Sequence, residues 1–177
     1  LFIANSEIES LPSELADLTS CTDVEVYNCP KMTEFPMVLT KMPELITLNV
    51  GNNLQWSSEE ILKGLKALAN GPSREKVQIL YMNNNNLEII PREIKNMKKL
   101  GMLDFSSNRI HTIEEAWGND IKPVQLHLNN NQLSSFPVDE KGVFCYMEDA
   151  ETFSVANNRF TEFPNIFDAG SLYAIVS

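Results

Sequence analysis

Positive charge is scarce in this chain: 14 Lys and Arg stand against 24 Asp and Glu, for a formal net charge of −10 and a pI near 4.6. Phosphate recognition needs a Lys/Arg face that releases counterions. Nucleic acid is therefore excluded as a partner class, and an acidic membrane surface is disfavoured for the same reason. Long apolar runs are missing as well. Nothing approaches the roughly 18 apolar residues of a membrane span, which argues against direct insertion into a bilayer. The three cysteines, Cys21, Cys29 and Cys145, are too few and too scattered for a disulfide framework or a CxxC metal site, and they read as buried free thiols. There is no Asn-x-Ser/Thr sequon and no visible signal peptide. The compartment stays open: reduced-looking cysteines fit the cytosol, and a secreted or cell-surface protein of a bacterium fits as well.

What the chain does have is repetition. Its 177 residues are 43% hydrophobic, enough for a substantial core. Val77, Leu80, Met82, Asn85, Leu87 and Ile90 are followed 23 residues later by Leu100, Leu103, Phe105, Asn108, Ile110 and Ile113. The same beat places Leu1, Val24, Leu48, Leu126 and Phe153 beside Leu80 and Leu103, and Ile3, Val26, Val50, Leu128 and Val155 beside Met82 and Phe105. Alternate strand residues share a face, so these pairs point inward together and the residues between them point out. Seven short parallel strands are predicted.

Three residues beyond each second strand position stand Ser6, Cys29, Asn53, Asn85, Asn108, Asn131 and Asn158. An inward amide offers two donors and an acceptor to the neighbouring turn, where the strand bends away and its own amides lose their ladder partners. These side chains are thus predicted to satisfy one another's turns as a structural ladder. After the Asn, Leu11-Pro12, Phe35-Pro36, Ile90-Pro91, Phe136-Pro137 and Phe163-Pro164 turn the chain onto its return, with short helical turns to follow.

Two intervals break the beat. The first holds a helix over 57–71, with a Ser57/Glu60 capping box, an apolar stripe of Ile61, Leu62, Leu65, Leu68 and Ala69, and Asn70-Gly71-Pro72 to stop it. The second is an acidic stretch over 138–151 with Asp139, Glu140, Glu148, Asp149 and Glu151. It lacks the fixed spacing of a calcium loop and is predicted to be a solvated loop. At the ends, Leu1 enters at a strand, while Leu172, Ile175 and Ser177 look like one more repeat beginning. Neither end carries a visible polar cap, so the expectation is a piece of a longer solenoid, or one whose flanking segments lie elsewhere.

The spacing L-x-x-L-x-L-x-x-N-x-L resembles the leucine-rich repeat, in its 23-residue bacterial-like class, and the resemblance covers essentially the whole chain. It implies an α/β fold of about seven repeats in a single domain over 1–177. That fold is a right-handed solenoid with a concave parallel β-sheet and convex short helices and 3₁₀ turns. It also implies a non-enzymatic scaffold that binds a protein or peptide, with no cofactor and no metal.

Function has to be read at the outward positions. Between the strand leucines these are Phe2, Glu25, Asn49, Tyr81, Asp104, His127 and Ser154, and just beyond them Ala4, Tyr27, Gly51, Asn83, Ser106, Asn129 and Ala156. Tyr27 and Tyr81 supply amphipathic contact area. Glu25, Asn49, Asn83, Asp104, His127, Asn129 and Ser154 surround them with polar groups, as suits a protein or peptide partner. A glycan stacked on the tyrosines is a second class, and a spacer with no ligand on this segment a third. Asp104, His127 and Ser154 fall in line on consecutive strands in the order of a hydrolytic triad. A strand edge of Asn and Ala supplies no oxyanion hole, so catalysis is not expected. The Asp beside the His reads instead as a pH-sensitive spot.

Overall fold

The structure, a computed structural model, describes residues 1–162; the Phe163-Pro164 turn and the repeat beginning at Leu172, Ile175 and Ser177 lie outside the described residues. Within them the alternation of inward and outward residues produces the strands β1 (Phe2–Ala4), β2 (Asp23–Tyr27), β3 (Thr47–Asn49) and β4 (Ile79–Tyr81). Further along come β5 (Ile89–Ile90), β6 (Met102–Asp104), β7 (Thr112–Ile113), β8 (Gln125–His127) and β9 (Thr152–Ser154). Seven of these form one sheet in the order β1-β2-β3-β4-β6-β8-β9, all parallel. Leu48 pairs with Leu80, Leu80 with Leu103, and Leu103 with Leu126. From Val24 through Phe153 the inward leucine-position residue of each strand of this sheet is buried to 1% exposure or less. Each such burial contributes roughly 1.5–3 kcal/mol.

Each strand of this sheet is followed, within three residues, by one of left-handed conformation: Asn5, Asn28, Asn52, Asn84, Ser107, Asn130 and Asn157 all have φ between 52° and 56°. Asn visits this region more readily than most residues because its short amide bonds locally. The bend turns the chain away from the sheet at the same point of each repeat. Where two 23-residue repeats then run in step, β5 and β7 pair as a second, two-stranded parallel sheet. The sequence periodicity did not reveal this pairing.

The return path carries 3₁₀ turns at Ser13–Asp17, Met37–Lys41 and Arg92–Asn96, each entered from a proline, Pro12, Pro36 or Pro91. In the long interval the return is instead α1 (Ser58–Ala69), whose Ser57 Oγ accepts the Glu60 N–H at 3.2 Å. Helix α1 packs between the Met37–Lys41 and Arg92–Asn96 turns. It therefore occupies the layer that a 3₁₀ turn fills in neighbouring repeats, with Ile61, Gly64, Leu65, Leu68 and Ala69 buried.

The 138–151 stretch corrects the sequence reading. Glu140, Glu148, Asp149 and Glu151 are exposed as expected of a solvated loop, but Val143, Phe144, Cys145 and Met147 are buried. The Phe144 ring packs, tilted, against Trp117 with centroids 4.9 Å apart and against Phe136 at 4.6 Å, and its carbonyl accepts the N–H groups of Trp117 and Gly118 at 2.7 and 2.9 Å. Counting charges hid the apolar centre of the segment. Cys29 and Cys145 are buried free thiols, whereas Cys21, expected in the core, is only half-buried at its edge.

Candidate functional site

The parallel register lines the outward side chains into rows across the sheet. Phe2, Glu25, Asn49, Tyr81, Asp104, His127 and Ser154 sit opposite one another strand by strand. From Glu25 to Ser154 all are half-buried, and Phe2 is 71% exposed. A neighbouring row, Asp23, Thr47, Ile79, Met102, Gln125 and Thr152, faces the same way. The leucine pattern pointed to positions between and after the inward pair, so this row was missed. The alternation rule extended one residue backwards would have found it.

Several outward side chains are committed to local bonds. Asn49 Oδ1 accepts the Gly51 N–H at 3.0 Å, and Asp104 Oδ1 accepts the Ser106 N–H at 2.8 Å. Asn49 Nδ2 reaches Glu25 Oε2 at 3.5 Å. Gly51 belongs to the outward set by position but is buried: a Cβ there would lie 2.7 Å from Asn83 Oδ1, so the Asn49 and Asn83 side chains fill its space. The Tyr27 hydroxyl accepts a hydrogen bond from Asn52 Nδ2, which fixes its ring, while Tyr81 has no such bond among the described residues. The two tyrosines sit in different rows, two strands apart. Asn83 and Asn129 are half-buried just past the ends of β4 and β8.

Asp104, His127 and Ser154 are adjacent in register, but no hydrogen bond joins any two of them among the described residues. Their side chains project from the sheet side by side, and the Asp104 carboxylate turns onto its own strand end. No hydrogen-bonded relay is built. No group of three or more His, Cys, Asp or Glu side chains able to hold a metal ion occurs among the described residues, and no helix there is long and apolar enough to cross a membrane.

Behind this face runs the buried amide ladder. Asn53 accepts from the Cys29 N–H at 3.1 Å and Asn85 from the Asn53 N–H at 2.8 Å. Asn108, Asn131 and Asn158 accept from Leu87, Ile110 and Leu133 at 2.9–3.0 Å. Each Nδ2 donates to carbonyls of its own strand end and of the preceding repeat, as Asn131 does to Leu128 at 3.1 Å and Phe105 at 2.9 Å. A second ladder that sequence reasoning missed runs along the strand ends. Asn28 Nδ2 donates to Asn5 Oδ1 and Asn157 Nδ2 to Asn130 Oδ1, both at 2.7 Å, and Asn84 donates to Asn52. The doublets Asn52-Asn53, Asn84-Asn85, Asn130-Asn131 and Asn157-Asn158 were its signal.

The general model of the Leucine Rich Repeat family matches residues 76–97, the repeat around β4. Over 88% of its length the chain is 40% identical to a solved leucine-rich repeat protein from Bacteroides eggerthii DSM 20697, with a TM-score of 0.78. It is 36% identical over 97% of its length to another from Bacteroides thetaiotaomicron VPI-5482, with a TM-score of 0.79. The chain is a leucine-rich repeat protein. The outward rows therefore lie on the concave sheet of a leucine-rich repeat solenoid, and α1 and the 3₁₀ turns form its convex side. A curated relative, described as a probable glycoprotein hormone G-protein coupled receptor from Anthopleura elegantissima, is 29% identical over 145 residues, 80% of this chain. The chain spans 25% and 20% of the two solved leucine-rich repeat proteins and 15% of the receptor.

Proposed function

We propose that the concave sheet is a non-enzymatic recognition surface for a protein or peptide. One observation carries this reading: six adjacent strands present a continuous row, Glu25, Asn49, Tyr81, Asp104, His127 and Ser154, half-open to solvent above a core that is fully packed. The scaffold spends no core residue on the row, and apart from the local bonds of Asn49 and Asp104 its chemistry is open to a partner. A fixed Tyr27 and an uncommitted Tyr81 provide large contact area at low entropic cost, which is where binding energy concentrates. The unlinked Asp104, His127 and Ser154 favour recognition over hydrolysis.

Peptides selected from an unbiased displayed library should bind the wild type and lose affinity by about tenfold or more to Tyr27→Ala with Tyr81→Ala, since central tyrosines are typical binding hot spots. Unchanged affinity in the double variant would refute the reading. A glycan array run beside the selection separates sugar from peptide. A fluorophosphonate probe is expected to leave Ser154 unlabelled.

A further inference from the structure

At the edge of the concave face, where the chain enters β4, β6 and β8, lies a recess of about 500 Å³. Ile79, Leu100, Met102 and Val124 give it an apolar lining. Its depth comes from Gly101. Gln78, Gly101 and Val124 stack in consecutive repeats: the Gln78 carbonyl accepts the N–H groups of Gly101 and Met102 at 2.9 and 3.1 Å, and the Gly101 carbonyl accepts those of Val124 and Gln125 at 2.7 and 2.9 Å. Only the middle residue of the stack lacks a side chain. A Cβ placed there meets one atom within 4 Å beyond its chain neighbours, Val124 Cγ2 at 3.9 Å.

The rim is basic in a chain of net charge −10. Lys76, Lys99 and Lys122 recur at the 23-residue beat and so form a column along this edge. Lys76 is neutralised by Glu44, and Lys98 by Asp120 at 3.4 Å. Lys99 and Lys122 both line the recess, are exposed, and make no ion pair among the described residues. Neighbouring rungs are about 4.8 Å apart, so one carboxylate can lie within reach of both ammonium groups.

We propose that this recess takes a linear peptide segment carrying an apolar side chain next to a carboxylate. The apolar side chain covers Ile79, Met102 and Val124, and the carboxylate sits between Lys99 and Lys122. Asp104, two residues beyond Met102 on β6, repels the carboxylate, so the segment is oriented with its acid toward the strand entries. The inference rests on the concave sheet being a recognition face and names the chemistry that one edge of it selects.

The full chain, labelled with ¹³C at its methyl groups, is titrated with acetyl-Glu-Leu-Glu-amide, acetyl-Gln-Leu-Gln-amide and acetyl-Lys-Leu-Lys-amide. Saturable shifts of the Ile79, Met102 and Val124 methyls are expected with the acidic peptide, and these should weaken as salt is added. Lys99→Glu with Lys122→Glu should weaken binding by about tenfold, as expected for two rim pairs. Gly101→Gln, which fills the recess and leaves the charge unchanged, should abolish the shifts while the remaining methyl spectrum stays native. Equal binding of the glutamine peptide, or no saturable shift at the three methyls, overturns the proposal. Acidic-peptide shifts confined to the surroundings of Tyr81 overturn it too, yet leave the recognition face standing. Shifts at the recess together with library peptides indifferent to Tyr27 and Tyr81 do the reverse.

Discussion

The amide of Asn108 serves four backbone groups at once: its Oδ1 accepts from Leu87, and its Nδ2 donates to the carbonyls of Met82, Phe105 and Ser106. Asn108→Ala leaves the buried Leu87 N–H without its partner, while the Met82, Phe105 and Ser106 carbonyls keep Asn85, Asn131 and Asn84 as donors; the loss should cost about 1–3 kcal/mol. The check is a fall in the urea midpoint at unchanged m-value; an unchanged midpoint would mean that water replaces the amide freely. Cysteine chemistry gives a second residue-scale prediction. Cys145 is buried and its desolvation pushes the thiol well above its ordinary range, Cys29 is buried, and Cys21 is half-buried. Iodoacetamide should therefore label Cys21 in the native protein and all three only after unfolding. At this scale the inward asparagines were legible because they share the beat of the leucines. The left-handed Asn52, Asn84 and Asn130 share it too, but they are punctuation rather than core, and hydrophobic periodicity passes over them. The register of Asp104 beside His127 could also be read, whereas the turn of the carboxylate onto Ser106 could not, since rotamer choice leaves no trace in spacing.

Among the elements, α1 shows how a helix is fitted to its neighbours. A Cβ on Gly64 would lie 2.4 Å from Phe35 Cδ1, and Phe35 is buried against Trp56, ring centroids 5.3 Å apart. Alanine is intrinsically the better helix former by about 1 kcal/mol, yet overpacking of this kind typically costs about 1–3 kcal/mol. Gly64→Ala is accordingly expected to lower the thermal midpoint, and a rise would show that the Phe35 ring yields easily. The convex links between repeats are electrostatic. The Arg92 backbone N–H donates to Glu114 Oε2 at 2.9 Å and its guanidinium lies 3.6 Å away, which holds the carboxyl below its usual range near 4.5 despite partial burial. A depressed folded value means that the contribution to stability is complete above the unfolded value and is lost as pH falls through the folded one. The stability gap between wild type and Glu114→Gln should thus narrow as pH drops well below 4.5; a constant gap in urea unfolding across that window contradicts the linkage. The helix and its Ser57 cap were readable from periodicity. The burial of Val143 to Met147 was not, because Phe144 finds its partners in Phe136 and Trp117, which no local pattern connects to it.

For the whole molecule, both departures from the 23-residue beat are absorbed away from the concave sheet. The long interval becomes α1, the 138–151 segment packs its apolar centre on Trp117 and Phe136, and β3 to β4 and β8 to β9 still pair in full register. Because each rung buries its face on the next, stability accrues between neighbours, and the outward rows can change without disturbing it. The solenoid was legible because one motif recurs; the partner was not, because outward residues obey no shared rule. The decisive measurement places a photoreactive side chain at Asn49 on the concave sheet or at Lys63 on the exposed side of α1, and illuminates each protein with a library-selected peptide bound. Crosslinks should form from position 49 and not from position 63. Crosslinking from 63 alone would contradict the concave sheet as the recognition surface.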